Sequence, residues 1–380
     1  MNINNINTKD LYNSYLFINI QNLVHNLNII NNSLPNGTTL MPVLKCDAYG
    51  LGVKEIAKVI KEKTGAETIA VAQVYEAMEL RNSGYDGNIL VMGAAIGRTQ
   101  TVSAAKEKIT LTVYRPGFFR DTVSLLNKEN LKLNVHIKIN SGLNRLGYSI
   151  EELASEIDDI KEFSDTIRIT GIFSHFTELV GCDENAEKQF SVLSSAISLL
   201  EENGIECGTR HICASAGYEF YPEYSLDSVR LGRKLYYDNV ECYENSKMVD
   251  PVSWRAPITD IRLRSKGETV GYGGDLVLDS DTTIAMVGVG YGDCDLLRKL
   301  ADINAPVIVC GKRGKIISCC MDQCFIDISG IDSRIGDEVT FFGYDKDVNL
   351  LPGQYVASLI DDEACSLTAS LGKRVLRIYE

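Results

Sequence analysis

The sequence predicts an α/β protein with an N-terminal (β/α)8 barrel of the TIM type, followed by a mostly β C-terminal domain. In the first two-thirds of the chain, short β-branched apolar runs alternate with amphipathic stretches about eight times, the number that such a barrel needs. From Pro251 onwards, β-branched runs are separated by turn residues such as Lys266-Gly267 and Gly336-Asp337. A doubly wound sheet is the alternative for the first part, but the absence of a GxGxxG turn favours the barrel.

Eight apolar runs are the predicted barrel strands. The first, at residues 40–45 (LMPVLK), precedes the segment 53–63, where apolar residues recur at helical spacing and lysines occupy the other face. The other strands are predicted at 68–74, 89–92, 109–113, 134–139, 167–174, 211–214 and 229–231. We therefore expect the barrel at 12–248 and the β-rich domain at 249–380, with residues 1–11 as a candidate to pack with the second domain.

The chain has 380 residues and a formal net charge of -13. Such an acidic protein repels phosphate backbones and anionic lipid, so we expect neither nucleic acid nor membranes as partners. No apolar run approaches the roughly 20 residues of a spanning helix, and the polar N-terminus does not resemble a signal peptide. We expect a cytoplasmic protein. The 11 cysteines include no pair of CxxC motifs, so no metal site is expected, and most cysteines are interpreted as apolar filler.

Polar residues at the predicted strand ends are the candidates for chemistry, because active sites of such barrels lie at the carboxyl ends of the strands. Lys45 ends the first strand, where partial desolvation would favour a neutral, nucleophilic amine; a lysine that merely extends into solvent is the more common alternative. The other strand ends carry Lys138, Arg145, His175, Ser215, Arg230, Gly232 and Arg233. A serine, a glycine and backbone N–H groups at the last strands are typical of a phosphate site, and with Lys45 they suggest pyridoxal phosphate.

Six segments, in order along the chain, resemble motifs of the alanine racemase family. They are LKCDAYGLG, VAQVYEAMELRNSG, HIKINSGLNRLG, VGYGG, GVGYGD and CCMDQCFIDIS. The resemblance extends from about residue 17 to residue 379, almost the whole chain. It implies a fold-type III, pyridoxal-phosphate-dependent racemase that acts on a small amino acid and produces D-alanine. It also implies a homodimer with shared active sites.

The resemblance assigns a role to each candidate residue. Lys45 would hold the cofactor and act as one base, and Tyr272 of the partner subunit would act as the second base on the opposite face of the substrate. Arg230 would meet the pyridine nitrogen, with His175 behind it; a guanidinium keeps its proton, so this nitrogen stays unprotonated. The remaining matches are Tyr49, Ser215, Gly232 and Arg233 for the phosphate, Arg145 and Met321 for the substrate carboxylate, Lys138 for orienting Arg145, and Tyr291 and Asp322 for the substrate passage.

Several residues depart from the family pattern, and this bears on the substrate. Cys365 occupies the position of a tyrosine that touches the phosphate and lines the substrate pocket, so a larger pocket is expected; Tyr237 replaces a glycine. Alanine is the predicted substrate, and serine or a larger or basic amino acid is the alternative. A decarboxylase of the same fold type would need an acidic partner for the pyridine nitrogen, against which Arg230 argues. A non-catalytic cofactor-binding protein is a further alternative. Such proteins usually consist of a barrel alone, so the predicted β-rich domain argues against it.

Overall fold

The computed structural model describes residues 8–177, 183–237, 247–274 and 276–380. These residues form two compact units. The barrel unit comprises Ile30–Ala48 and Val53–Leu235, and the β-rich unit lies within Met1–Ile29, Tyr49–Gly52 and Tyr236–Glu380. The boundary at 248/249 stays a prediction. Of residues 1–11, which were expected to pack with the second domain, 1–7 lie outside the described residues.

Parallel strands build the barrel unit. The chain begins with β1 (Tyr15–Ile18), which belongs to the β-rich unit, and α1 (Ile20–Ser33). The barrel strands are then β2 (Thr39–Pro42), β3 (Thr68–Val71), β4 (Asn88–Val91), β5 (Thr110–Val113), β6 (Leu133–Lys138), β7 (Ile167–Phe173), β8 (Thr209–His211) and β9 (Ser228–Leu231). Strands β3 to β8 pair in chain order, and β2 pairs with β9. A bridge from Val43 to Ala70 and a hydrogen bond from Arg230 N–H to Cys213 O (3.0 Å) join the two sheets, so the predicted barrel is confirmed.

Helical segments alternate with these strands. They are α2 (Lys45–Gly50), α3 (Val53–Thr64), α4 (Val74–Asn82), α5 (Gly97–Lys106), α6 (Phe118–Lys128), α7 (Ile150–Ser155), α8 (Ile157–Glu162), α9 (Asp183–Glu202) and α10 (Ser215–Phe220). Helix α3 buries Val53, Ile56, Ala57 and Ile60, the face that the sequence spacing predicts. Among the described residues, no helix is both long and apolar enough to cross a membrane.

The β-rich unit is an antiparallel ring with short helices. Its further strands are β10 (Val252–Arg264), β11 (Thr269–Val270), β12 (Leu276–Val277), β13 (Thr282–Val287), β14 (Pro306–Val309), β15 (Lys312–Cys319), β16 (Cys324–Asp327), β17 (Glu338–Tyr344), β18 (Leu350–Leu351) and β19 (Leu376–Tyr379), and its helices are α11 (Leu297–Asp302), α12 (Gly353–Ser358) and α13 (Ala364–Ala369). The order β17-β14-β15-β16-β13-β10 closes on itself because β10 also pairs with β17. The predicted mostly β domain is therefore confirmed.

Two contacts anchor this ring. Buried Trp254 on β10 stacks on Phe341 of β17, with ring centroids 4.4 Å apart. Strand β1 pairs antiparallel with β10 and parallel with β19. Because β1 forms ladders with both strands, residues 8–29 group with the C-terminal part of the chain rather than with the barrel.

Candidate active site

Lys45 begins a helical segment of unusual hand. Strand β2 ends at Pro42, and Lys45 follows the buried residues Val43 and Leu44, so it lies just beyond the strand that was predicted to end with it. The next four residues, 46–49, have φ angles of 54 to 59°. This left-handed conformation costs roughly 1–2 kcal/mol for each residue other than glycine. The surrounding structure must therefore hold the turn in place.

Two carboxylates hold the left-handed turn in the barrel unit. Glu76 Oε1 accepts a hydrogen bond from the N–H of Cys46 at 2.5 Å, and its Oε2 accepts from the N–H of Ala72 at 2.7 Å. Asp47 Oδ1 accepts from the N–H of Val53 at 2.7 Å. Glu76 was not among the predicted site residues. The sequence feature that could have pointed to it is its position in the segment VAQVYEAMELRNSG, which resembles a motif of the family.

Glycines close the same motif, LKCDAYGLG, within the β-rich unit. A Cβ at Gly50 would lie 2.0 Å from the carbonyl oxygen of Thr368, so only glycine fits there. The carbonyl of Gly50 also accepts a hydrogen bond from Arg377 Nε at 2.9 Å. Tyr49, a predicted phosphate ligand, packs edge-on against Tyr236 with ring centroids 5.9 Å apart.

Arg230 is buried at the end of β9 and donates hydrogen bonds to several acceptors. One terminal nitrogen donates to His211 Nδ1 at 2.6 Å. The other donates to the carbonyls of Ser174 and Ile212 at 2.8 and 2.9 Å, and to His175 Nδ1 at 3.2 Å. A guanidinium with so many fixed acceptors has one orientation, so Arg230 is a rigid cation.

These contacts also fix the tautomers of two buried histidines. Because Arg230 can only donate, His211 Nδ1 accepts, and its proton must lie on Nε2. His211 Nε2 then donates to His136 Nδ1 at 3.0 Å. Burial and then the charge of Arg230 lower the pKa of both rings, to about 3 for His136 and well below the usual value for His211, so both stay neutral.

Gly171 makes room for this pair, because a Cβ there would lie 2.4 Å from the His136 ring. Neither His136 nor His211 was among the predicted site residues. The sequence feature that could have pointed to His136 is the alternation of side chains along β6, which puts it on the same face as Lys138.

Cations gather at the carboxyl ends of the barrel strands. The pKa of His175 is lowered to about 3, first by burial and then by Arg230, Lys138, Arg145 and Lys45. The pKa of Lys138 is lowered to about 7, first by burial and then by Arg230 and Arg145. The structure therefore brings these five predicted residues together. Their combined positive charge suits an anionic group such as a phosphate or a carboxylate.

Three of the four residues predicted to hold the phosphate, Ser215, Gly232 and Arg233, lie together in the barrel unit, whereas Tyr49 belongs to the β-rich unit. Ser215 Oγ accepts hydrogen bonds from the N–H of Gly232 at 3.4 Å and from that of Lys234 at 3.3 Å. The guanidinium of Arg233 pairs with Glu219 at 3.5 Å, and Lys234 Nζ pairs with the same carboxylate at 2.6 Å. Because these side chains pair with Glu219, the backbone N–H groups and the Ser215 hydroxyl are the candidate phosphate donors.

Tyr272 lies in the glycine-rich hairpin between β11 and β12, and 76% of its surface is exposed. Its phenol lies near the thiol of Cys320. It lines a cavity of about 480 Å³ together with Tyr291, Arg298 and Cys319. The guanidinium carbon of Arg298 lies 3.6 Å from the centroid of the Tyr291 ring, a cation–π contact that places a positive charge in this cavity.

The segment GVGYGD supports the loop that carries Met321 and Asp322. A Cβ at Gly290 would lie 2.3 Å from the backbone carbon of Met321 and 2.4 Å from the nitrogen of Asp322. The N–H of Tyr291 donates to the carbonyl of Cys320 at 3.0 Å. The two predicted substrate residues of this loop therefore depend on a glycine that lets two backbone segments touch.

Cys365 lies on α13, and its thiol donates a hydrogen bond to Glu363 at 3.4 Å. The fully buried Tyr237 lies close to it: burial, then Asp250 and Cys365, raise the pKa of the Tyr237 phenol far above its usual value. Two departures from the family pattern, a tyrosine lost at 365 and a tyrosine gained at 237, are therefore neighbours.

Known proteins resemble this chain over nearly its full length. Residues 18–240 match the family model for the N-terminal domain of alanine racemase, and residues 251–379 match that for its C-terminal domain. The alanine racemase of Clostridium tetani is 33% identical over 370 residues, which cover 95% of this chain and 94% of that protein.

Solved structures agree with this similarity. The structure of alanine racemase from Bacillus anthracis with bound L-Ala-P has a TM-score of 0.89 and 25% identity, and the match covers 97% of this chain and 95% of that one. The histidine racemase of Leuconostoc mesenteroides has a TM-score of 0.84 and 25% identity, over 97% and 98% of the two chains. The fold is thus shared by racemases that are named for different amino acids, alanine and histidine.

Proposed function

The chain belongs to the alanine racemase family and is therefore a pyridoxal-phosphate-dependent racemase; we propose that it interconverts L- and D-alanine with Lys45 and Tyr272 as its two bases. The observation that supports this most directly is the cluster of four basic residues, Lys45, Lys138, Arg145 and Arg230, around His175. Such a cluster suits two anions, the phosphate of the cofactor and the carboxylate of an amino acid.

The donors of the barrel unit fit pyridoxal phosphate chemically. The Ser215 hydroxyl and the N–H of Gly232 suit the phosphate, and the amine of Lys45 suits a covalent link to a carbonyl carbon. Arg230 suits the pyridine nitrogen as a donor that keeps its proton. When bound, the cofactor withdraws electrons from the α-carbon of the amino acid and makes its α-proton more acidic.

The residues of the chain have separate tasks in this scheme. Arg145 binds the substrate carboxylate through its forked guanidinium, which fixes the position of the α-carbon. Arg230, held rigid by His211 and two carbonyls, leaves the pyridine nitrogen unprotonated, so electron withdrawal is weaker and the bases must do more of the work. Lys45 and Tyr272 act on opposite faces, one removing the α-proton and the other returning a proton.

Tyr272 is proposed to act in the active site of a partner subunit, which makes the protein a homodimer with shared sites. Its exposure on a short hairpin supports this role, because its phenol is accessible to another chain. A tyrosine is a weak base unless cations stabilise its phenolate. The cations around Lys45 in the partner would supply that stabilisation.

Lys138 is expected to carry a carbamate in alkaline solution, as its counterparts do in many members of the family. Its pKa is lowered to about 7, chiefly by burial, so the amine is mostly neutral above that pH and can add to CO2 with release of a proton. Below that pH the protonated amine cannot react. Carbon NMR after equilibration with ¹³C-bicarbonate should show a carbamate at about pH 8 and lose it at about pH 6. The same signal in a Lys138→Arg variant would contradict the assignment.

Alanine is the proposed substrate rather than serine or a larger or basic amino acid. The argument for a larger pocket rests on Cys365, but the buried Tyr237 beside it returns a phenol to the same region. The cysteine therefore does not by itself create free space. The decarboxylase alternative is disfavoured because Arg230, not a carboxylate, occupies the pyridine position.

Chiral chromatography tests this function. The cofactor-loaded protein is incubated separately with L-alanine, L-serine, L-lysine and L-histidine, and the D-products are timed. We expect D-alanine to form fastest. A faster D-serine, D-lysine or D-histidine would overturn the substrate but not the racemase class. Loss of CO2 from any substrate without a D-product would favour the decarboxylase instead.

We also propose a cytoplasmic location. The nine cysteines among the described residues whose state is given are all free thiols, as is usual in a reducing compartment. Cell fractionation followed by immunoblotting tests this, and recovery in an extracellular fraction would contradict it.

A further inference from the structure

Cys319 and Cys324 lie directly opposite each other on the adjacent strands β15 and β16. Their sulfur atoms are 3.5 Å apart, with the Cys324 thiol donating to the Cys319 sulfur. One position further, the N–H of Cys320 donates to the carbonyl of Gln323 at 2.7 Å. Residues 320 and 323 are thus a hydrogen-bonded pair. The preceding pair, 319 and 324, is of the closer, non-hydrogen-bonded kind, with Cα atoms about 4.5 Å apart.

This spacing suits a disulfide, whose Cα atoms usually lie roughly 4.4–6.8 Å apart. The two thiols also differ in a way that favours reaction. A hydrogen bond from Cys324 lowers the pKa of Cys319, and the nearby Arg298 lowers it further. Cys319 is half-buried and lines the cavity beside Tyr272, whereas Cys324 is fully buried behind it. A partly accessible thiol with a lowered pKa next to a protected second thiol is the arrangement found in oxidation-sensitive cysteine pairs.

We propose that Cys319 and Cys324 form a modification site that hydroperoxides oxidise reversibly to a disulfide. The Cys319 thiolate attacks a peroxide oxygen; an S–O bond forms, the O–O bond breaks and hydroxide leaves. The Cys324 thiolate then attacks the Cys319 sulfur; an S–S bond forms, the S–O bond breaks and a second hydroxide leaves. The two thiol protons convert both hydroxides to water, so hydrogen peroxide is reduced and two thiols are oxidised. A dithiol reductant reverses the change by exchange.

The disulfide would join the two ends of the loop 320–323, which carries Met321 and Asp322. Bonded sulfurs lie about 2.05 Å apart, so the present 3.5 Å contact would be replaced by a covalent link that fixes the two ends of the loop. The same loop contains Cys320, whose thiol lies near Tyr272. If Tyr272 and Met321 have the proposed roles, racemisation should fall by about tenfold or more, because small misplacements of positioning groups are costly. Only this second step rests on the proposed function.

Peptide mapping of the peroxide-treated holoenzyme tests the first step. Remaining thiols are alkylated, and the chain is cleaved before Asp322, which leaves Cys319 and Cys324 on separate peptides. We expect these peptides to be linked in the natural chain and separate in the Cys319→Ser and Cys324→Ser variants. The matched control is Cys310→Ser, because the Cys310 thiol is hydrogen-bonded to a carboxylate rather than to a thiol; the link should persist there. A link through Cys320, or stepwise over-oxidation of Cys319 without a link, would overturn the proposal.

Racemisation by the same samples tests the second step. Activity should fall as the linked peptides appear and return with dithiothreitol, and the Cys324→Ser variant should be resistant. A complete link with unchanged racemisation would overturn the effect on the loop while leaving the disulfide assigned. An untreated chain that makes no D-product would instead contradict the proposed function, and the peptide map would still decide on the thiol pair.

Discussion

Replacing Lys45 by alanine is expected to abolish racemisation, by at least about a thousandfold, and to remove the visible absorbance of covalently held cofactor. The amine has two proposed tasks, the covalent link and one of the two proton transfers. A positioned base alone contributes about 10²–10⁴ to a rate, and the link that makes the α-proton acidic is lost as well. Absorbance spectra and chiral chromatography of the purified variant measure both effects.

The matched control is Lys54→Ala. Lys54 lies on α3 of the same unit, is mostly exposed and forms a distant ion pair with Glu79 at 3.8 Å. Such a surface pair contributes little to stability, so this variant should keep the absorbance and the rate. A Lys45→Ala protein that is folded by circular dichroism and still shows the absorbance of a covalent link would assign the cofactor to another lysine.

Replacing Tyr272 by phenylalanine is expected to leave the cofactor bound and to lower conversion of L-alanine by about 10²–10⁴, the usual contribution of a general base. Lys45 is unaffected in this variant, so it should still exchange the α-proton of the enantiomer that it serves. In deuterated water, one enantiomer of alanine should therefore gain deuterium while little of it is converted to the other. Mass spectrometry of both enantiomers measures this. Full two-way conversion would contradict the assignment of Tyr272 as the second base.

Mixing the two inactive variants tests whether Tyr272 acts in the partner subunit. In a mixed dimer, one site would combine an intact Lys45 from one chain with an intact Tyr272 from the other. If subunits reassort randomly, about half of the dimers are mixed and about a quarter of the natural activity should return. If Tyr272 serves the site of its own chain, no mixed dimer has an intact site and no activity returns.

The sequence predicted the fold well because the fold depends on local patterns. The apolar runs of the barrel strands and the buried face of α3 follow from periodicity, which each segment carries in itself. The barrel rule then predicted where to look for chemistry, and the polar residues Lys138, His175 and Arg230 do lie together at strand ends.

Other features depend on contacts between distant segments, which periodicity does not encode. The tautomers of His136 and His211 follow from the orientation of Arg230, and that orientation is set by carbonyls of two other strand ends. Cys319 and Cys324 lie opposite each other because of the register of β15 and β16, and a shift by one residue would separate them. The nearness of Tyr237 to Cys365 likewise became visible only in the folded chain.

The left-handed turn after Lys45 also orders events during folding. Its four residues together cost roughly 4–8 kcal/mol relative to ordinary backbone, so an isolated peptide would populate it less than about once in a thousand molecules. The turn becomes stable only when Glu76 and the carbonyl of Ala70 are in place to bond the residues around it. We therefore expect a newly made chain to position Lys45, the proposed cofactor lysine, only after β2, β3 and α4 have assembled, so that cofactor capture follows this step of barrel formation.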